Sequence, residues 1–259
     1  MSRSTGSVPD SALADTVLDR LTTVYPKGAD PARAAKVRAY MKDISPTVYP
    51  KGADPARAAK VRAYMKDISP FLGIPTPERR ALSRTVLEGT PRPDERDCTA
   101  IALRCWALEE REYRYFAVDY LRRHAKSLSA GFLPVIRTLV VTNSWWDTVD
   151  LLAARVVGPL VSADPKLRSV MDRWIEDPDM WVARTALLHQ LGHKDTTDTT
   201  RLFAYCLRQA GHPDFFVRKA IGWCLREYAK TDPAAVRDFV GQYRDVLSPL
   251  SAREALKNL

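Results

Sequence analysis

HPDFFVRKAIGWCLREY, His212 to Tyr228, is the stretch on which the fold turns. Asp214 opens the run, and Val217, Ala220, Ile221, Cys224, Leu225 and Tyr228 follow at i, i+3, i+4, i+7, i+8 and i+11. That spacing lays the apolar side chains along one face of an α-helix. Trp223 falls outside the stripe, in line with Lys219 and Arg226. Two readings fit such a tryptophan. It faces DNA, with the cations on phosphates and the ring on a base or sugar, or it is a boundary residue covering the neighbouring helix.

Three other stretches share the pattern: EREYRYFAVDYL (110–121), NSWWDTVDLLA (143–153) and DPDMWVARTALLHQL (177–191). Each has a polar or acidic opening, an aromatic, then an apolar stripe. The aromatics Tyr113, Trp145, Trp181 and Phe216 are roughly 32, 36 and 35 residues apart. A period of that kind means stacked helix pairs. The expected fold is all-α, an α-solenoid of HEAT-like antiparallel pairs with a curved, concave binding surface. Thr76-Pro77-Glu78 opens one helix with a cap, a first-position proline and an acid. Further helices fit roughly 94–107, 111–125, 131–141, 144–157, 165–175, 180–191, 198–210, 214–229, 233–244 and 250–257. Short connectors such as GPLVSADP, EDPD, GHKD and AGHPD separate them.

In TNSWWDTVD (142–150), Ser144 reads as the cap and Asp147 as the third residue of a capping box. Trp145, Val149, Leu152, Ala153 and Val156 make the core stripe. Trp146 and Asp150, four apart, project together on another face. An exposed Trp beside an acid that caps nothing calls for a partner. The bland alternatives are an Asp150 pair with an arginine on the next helix, and Trp146 as a rim contact. Arg184 and Lys219 occupy equivalent positions in successive repeats. They form either one basic rail or bridges to acids within the repeats.

The 24 residues TVYPKGADPARAAKVRAYMKDISP occur unchanged at 23–46 and 47–70. The expected organisation is a tail and first helix at 1–22, an extra helical copy at 23–46, and one repeat domain at 47–259. Asp30 and Asp54 read as caps of the helices that open at Pro31 and Pro55.

The chain has 259 residues, 46% hydrophobic and 27% charged, which is globular. Its net charge of +9 favours a polyanion partner through counterion release. The N-terminus lacks an apolar leader core, and no run approaches ~18 apolar residues, so no membrane partner is expected. Cys98, Cys105, Cys206 and Cys224 read as small core residues in a reducing, cytoplasmic compartment. HQLGH (189–193) has two histidines at i, i+4, but Gln190 stands where a zinc protease needs Glu and Gly192 interrupts the helix. No metal, phosphate loop or serine elbow is expected. A monomer without cofactors fits best.

FLGIPTPERR, SWWDTVD, the DPDMWVAR helix, FFVRKAIGWCLREYAKTDP and PLSAREALK resemble the DNA alkylation repair family of AlkD-type, HEAT-like alkylbase DNA glycosylases, over about 55–259. The resemblance implies that Trp146 and Trp223 flank the lesion nucleotide and that Asp150 is the catalytic carboxylate. It implies that Arg184 lines the same cleft and that Tyr64 is a further cleft residue. The implied reaction is hydrolytic excision of cationic N3- or N7-alkylated purines from double-stranded DNA, without base flipping, leaving room for bulkier adducts. The chemistry suits the residues. Indole faces stabilise positive charge at ~0.5–2 kcal/mol each, and a carboxylate stabilises an oxocarbenium-like sugar and positions water. The family pattern carries one copy of the duplicated segment, so the N-terminus departs from it. A helical-repeat DNA binder that senses damage without catalysis is the competing reading. A HEAT-type protein scaffold would leave the Lys219–Trp223–Arg226 face unexplained.

Overall fold

A computed structural model describes residues 8–32, 69–72 and 74–259. Tyr64 and Asp54 lie outside the described residues. Every regular element among the described residues is helical. They form two compact units, 1–121 and 122–259.

In the first unit, α1 (Ala12–Lys27) packs on α2 (Thr76–Leu87) and α3 (Glu95–Ala107), and α4 starts at Arg111. Ser11 caps α1, accepting from the Ala14 N–H. The helix runs past Thr22 into the first copy of the duplicated segment. Tyr25, from that copy, is fully buried; its ring stacks on Tyr113 at 5.6 Å and its hydroxyl lies 2.8 Å from Ser83 Oγ. The end of the second copy is held as firmly. The Arg111 N–H donates to the Pro70 carbonyl, and the buried Glu112 carboxylate accepts from Leu72 and Ile74 N–H at 3.1 and 3.2 Å. The Asp30 N–H donates to the Leu72 carbonyl at 2.7 Å, so the chain enters and leaves this interval at one place.

The second unit contains the last three of the four patterned stretches, while 110–121 closes the first unit. After α4 (Arg111–His124) come α5 (Leu133–Val141), α6 (Trp146–Leu152), α7 (Gly158–Ala163), α8 (Arg168–Trp174), α9 (Met180–Leu188), α10 (Thr199–Arg208), α11 (Phe215–Tyr228), α12 (Pro233–Gln242) and α13 (Pro249–Ala255). Equivalent helices lie side by side: α6 on α9, α9 on α11, α11 on α13. That is the stacking of an α-solenoid. Three of the four aromatics that set the period meet between the stacked helices, while Tyr113 stacks on Tyr25 in the first unit. Trp145, Trp181 and Phe216 have mutual centroid distances of 6.0, 5.3 and 5.2 Å.

Local chemistry sets the boundaries. Asp179, Asp198, Asp214 and Asp232 each cap the helix they precede through a side-chain oxygen. The helix α6 departs from this rule. Trp145 is its N-cap, with no side-chain cap bond, and Ser144 Oγ donates back to the Val140 carbonyl. Asn143, in the left-handed region at φ 51°, turns the chain there, and the Ser144 hydroxyl satisfies a carbonyl of the helix just ended. The expected capping box of Ser144 and Asp147 is therefore absent.

The expected connector GPLVSADP is mostly helix. A π-helical turn, Ala153–Val157, joins α6 to α7, with the Gly158 N–H donating to the Ala153 carbonyl. Pro159 has no N–H to give, and the wider turn lets the helix continue past it. Gly158 is needed here because a Cβ would sit 2.3 Å from the His189 carbonyl oxygen. No described helix is long and apolar enough to cross a membrane.

Candidate functional site

Trp146 is the first residue of α6 and is half-buried; Asp150 follows one turn later and is only 7% exposed. Both lie off the stripe of Val149, Leu152, Ala153 and Val156, which is buried. Trp145 is buried too, as part of the aromatic cluster between repeats.

Asp150 meets Arg184 of α9 in a two-pronged pair. Arg184 Nε donates to Oδ1 at 2.7 Å and Nη2 to Oδ2 at 2.8 Å. Arg184 Nη1 donates to the Phe216 carbonyl in the first turn of α11. One guanidinium thus ties three stacked helices together. The net shift of the Asp150 carboxyl is upward: burial raises it, the charge and hydrogen bonds of Arg184 pull it only partly back, and Asp147 adds a push upward. A guanidinium offers only donors, so both Asp150 oxygens act as acceptors. The ionised form suits that geometry, and each oxygen keeps a second lone pair. Arg184, only 3% exposed, is committed to protein partners rather than to a surface rail.

On α11, Lys219, Gly222 and Arg226 share a face, and Trp223 lies beside it, half-buried. This face meets α13. Lys219 Nζ lies 2.7 Å from Glu254 Oε1, and Arg226 Nη1 lies 2.7 Å from Glu254 Oε2. Gly222 makes the approach possible, since a Cβ there would stand 2.4 Å from Glu254 Cβ and 2.8 Å from the Ser251 carbonyl oxygen. Ser251 Oγ donates to the Arg218 carbonyl at 2.9 Å and fixes α13 in place. Burial raises the Glu254 carboxyl, but Lys219, Arg226 and Lys257 outweigh it and the net shift is downward. Neither the Trp146 nor the Trp223 ring packs against another aromatic among the described residues.

Asp150, Arg184, Lys219 and Glu254 are spaced 34, 35 and 35 residues apart, which is the repeat period. Successive repeats place them at one equivalent position, where they pair as Asp150–Arg184 and Lys219–Glu254. Glu254 is the residue that the sequence reading misses. Counting one period on from Lys219 finds it.

The HQLGH histidines serve the structure. His189 is buried, its Nδ1–H donates to the Ala186 carbonyl at 2.7 Å, and burial pushes its pKa down to about 4. His193 Nε2 lies 3.3 Å from Ser162 Oγ. No group of three acids, histidines or cysteines among the described residues is arranged to hold a metal. The four cysteines are buried and free, with Cys206 and Cys224 sulfurs 3.6 Å apart.

The model of the DNA alkylation repair enzyme family matches residues 47–259. The match starts at the first residue of the second duplicated copy. Among solved structures, the chain is similar to one described as a predicted DNA alkylation repair enzyme from Enterococcus faecalis. The two share 33% identity at a TM-score of 0.70, over 80% of this chain and 96% of that one. No curated protein matches the chain. With four-fifths of the sequence inside the family's match and a fold shared with a solved relative, the chain belongs to the DNA alkylation repair enzyme family.

Proposed function

We propose that the protein is an AlkD-type DNA glycosylase of the HEAT-like repeat kind. It excises cationic N3- and N7-alkylated purines, of the 3-methyladenine and 7-methylguanine type, from double-stranded DNA. The observation that carries the reading is the buried Asp150 carboxyl group, held by two hydrogen bonds from Arg184 one helical turn from the half-buried Trp146. Family membership and the net charge of +9 support duplex DNA as the partner.

Alkylation at N3 or N7 makes the purine a cation and a good leaving group, so no strong general acid is needed. The site supplies charge stabilisation instead. The Trp146 and Trp223 faces attract the positive base by cation–π contact. Asp150 stabilises the oxocarbenium-like sugar as the glycosidic bond breaks, and its free lone pair orients the attacking water. Arg184 acts as a positioning residue that fixes the carboxylate. Its full charge also leaves the pair near neutral, so the stabilisation by Asp150 is directional rather than a bulk negative field. Lys219 and Arg226 meet phosphates through the N–H donors that Glu254 leaves free. Tyr64 completes the proposed DNA contacts. The base stays stacked, the protein acts as a monomer, and the reaction takes place in the cytoplasm or nucleoid.

The competing reading is a damage-sensing binder without catalysis. Incubation of the protein with N7-methylated duplex DNA separates the two. The glycosylase releases free 7-methylguanine, whereas the binder retains it in the duplex.

A further inference from the structure

The Glu254 carboxylate spans both cations that flank Trp223, at 2.7 Å each. The sequence leaves Lys219 and Arg226 as two positive charges beside a tryptophan. The fold reduces the trio to a net single positive charge. Its seat is built for the purpose: Gly222 has no side chain where Glu254 Cβ approaches, and Ser251 locks α13 to the Arg218 carbonyl. The trio is also shielded, with the Lys219, Arg226 and Glu254 side chains 26%, 20% and 11% exposed. These charges are therefore not ordinary surface charges trading partners freely with solvent.

We propose that Glu254 is a specificity-determining residue. It offsets part of the attraction of Lys219 and Arg226 for the phosphates of undamaged DNA, and it keeps a carboxylate near Trp223 that favours a positively charged base over a neutral one. The inference rests on the DNA-glycosylase reading above. Any duplex carries the same phosphates, so cations free to meet them raise affinity without discrimination. What distinguishes an alkylated purine is its own charge, and an anion at the site rewards that charge alone. Lys219 and Arg226 keep N–H donors that Glu254 leaves free, but the carboxylate beside them offsets part of their attraction for any phosphate while it adds to the attraction of a cationic base.

The test is a binding comparison of the wild-type chain with Glu254→Gln. Each is titrated against undamaged and N7-methylated duplexes of one sequence at several salt concentrations. Melting temperature and helical circular dichroism are measured in parallel. The variant should bind undamaged DNA several-fold tighter at low salt. Its slope of log affinity against log salt should steepen by about 0.9, for one added net cation. Its preference for methylated DNA should fall. Adding Lys219→Gln and Arg226→Gln to the variant should remove the gain, and Glu254→Asp, which keeps the charge, should retain the wild-type preference. A folded Glu254→Gln protein with wild-type affinity, slope and preference would overturn the inference while leaving the glycosylase reading intact. Should Glu254→Gln fail to fold, removal of the whole trio decides. The triple variant Glu254→Gln/Lys219→Gln/Arg226→Gln, which leaves no unpaired charge, is then expected to show a reduced preference for methylated over undamaged duplex, and a wild-type preference overturns the inference. Absence of both duplex binding and base release in the wild type would remove the reading and the inference together.

Discussion

Asp150 and Arg184 face each other from adjacent stacked helices, both buried, with two hydrogen bonds of 2.7 and 2.8 Å between guanidinium and carboxylate. The pair is at once the anchor of three helices and the centre of the proposed site. Its two roles can be separated. Asp150→Ala leaves an uncompensated buried guanidinium and should cost about 3–5 kcal/mol of stability. The double change Asp150→Leu/Arg184→Met removes both charges, and denaturant melts should place it much closer to wild type than the single variant. Base release should be absent from both. Activity in the stable, chargeless double variant would deny the carboxylate its proposed role.

The buried His189 gives a pH prediction. Its pKa is lowered to about 4 by burial, against an ordinary value of 6.5. Between those values the unfolded chain binds a proton that the folded chain refuses. Stability therefore falls as the pH drops from about 6.5 towards 4, by about 3 kcal/mol from this group. His189→Asn can still donate to the Ala186 carbonyl but cannot take up the proton. Thermal melts from pH 7 to 4 should show a flatter decline for the variant, and parallel curves would refute the assignment.

The close approach of α11 and α13 predicts the effect of a methyl group. Alanine at position 222 places Cβ 2.4 Å from Glu254 Cβ and 2.8 Å from a backbone oxygen. Ala gains ~1 kcal/mol of helix propensity over Gly. The forced displacement of α13 outweighs it, and Gly222→Ala should lower stability by about 1–3 kcal/mol. A melting temperature at or above wild type would mean that α13 moves away freely.

The duplication makes a different prediction. The two copies are identical, so removing 23–46 or 47–70 yields one and the same chain. Both ends of the interval are seated, through Tyr25 and the Asp30 N–H on one side and Pro70 and Leu72 on the other. The same residue types stay next to both anchors after deletion. The shortened protein should melt within a few degrees of wild type and keep its base release. Loss of either would show that the added 24 residues have a role of their own.

What could be read in the sequence was local. Asp179, Asp198, Asp214 and Asp232 announce their helices because a cap depends on residues two or three positions away. The stripe from Val217 to Leu225 is buried as its period requires. Ser144 misleads because its hydroxyl has two carbonyl-rich neighbourhoods to choose from, and Asn143 turns it towards Val140. The GPL stretch misleads because a π-helical turn absorbs the missing Pro159 donor, an option invisible in composition. Pairing across helices was the least legible. The sequence leaves Asp150 open between an arginine partner and a free site, because side-chain direction between repeats is a tertiary matter. Glu254 escapes altogether until the period is counted through the ion pairs.

The central claim is that the buried carboxylate of Asp150 drives excision of a cationic base. Its most direct measurement is release of 7-methylguanine from N7-methylated duplex DNA by the wild-type chain and by Asp150→Asn, with duplex binding and melting temperature followed in both. Release by the wild type is expected, with a loss of ~100-fold or more in the variant, which melts lower because Arg184 loses its counter-charge but still binds the duplex. Full release by a folded Asp150→Asn protein, or none by the wild type, would contradict it.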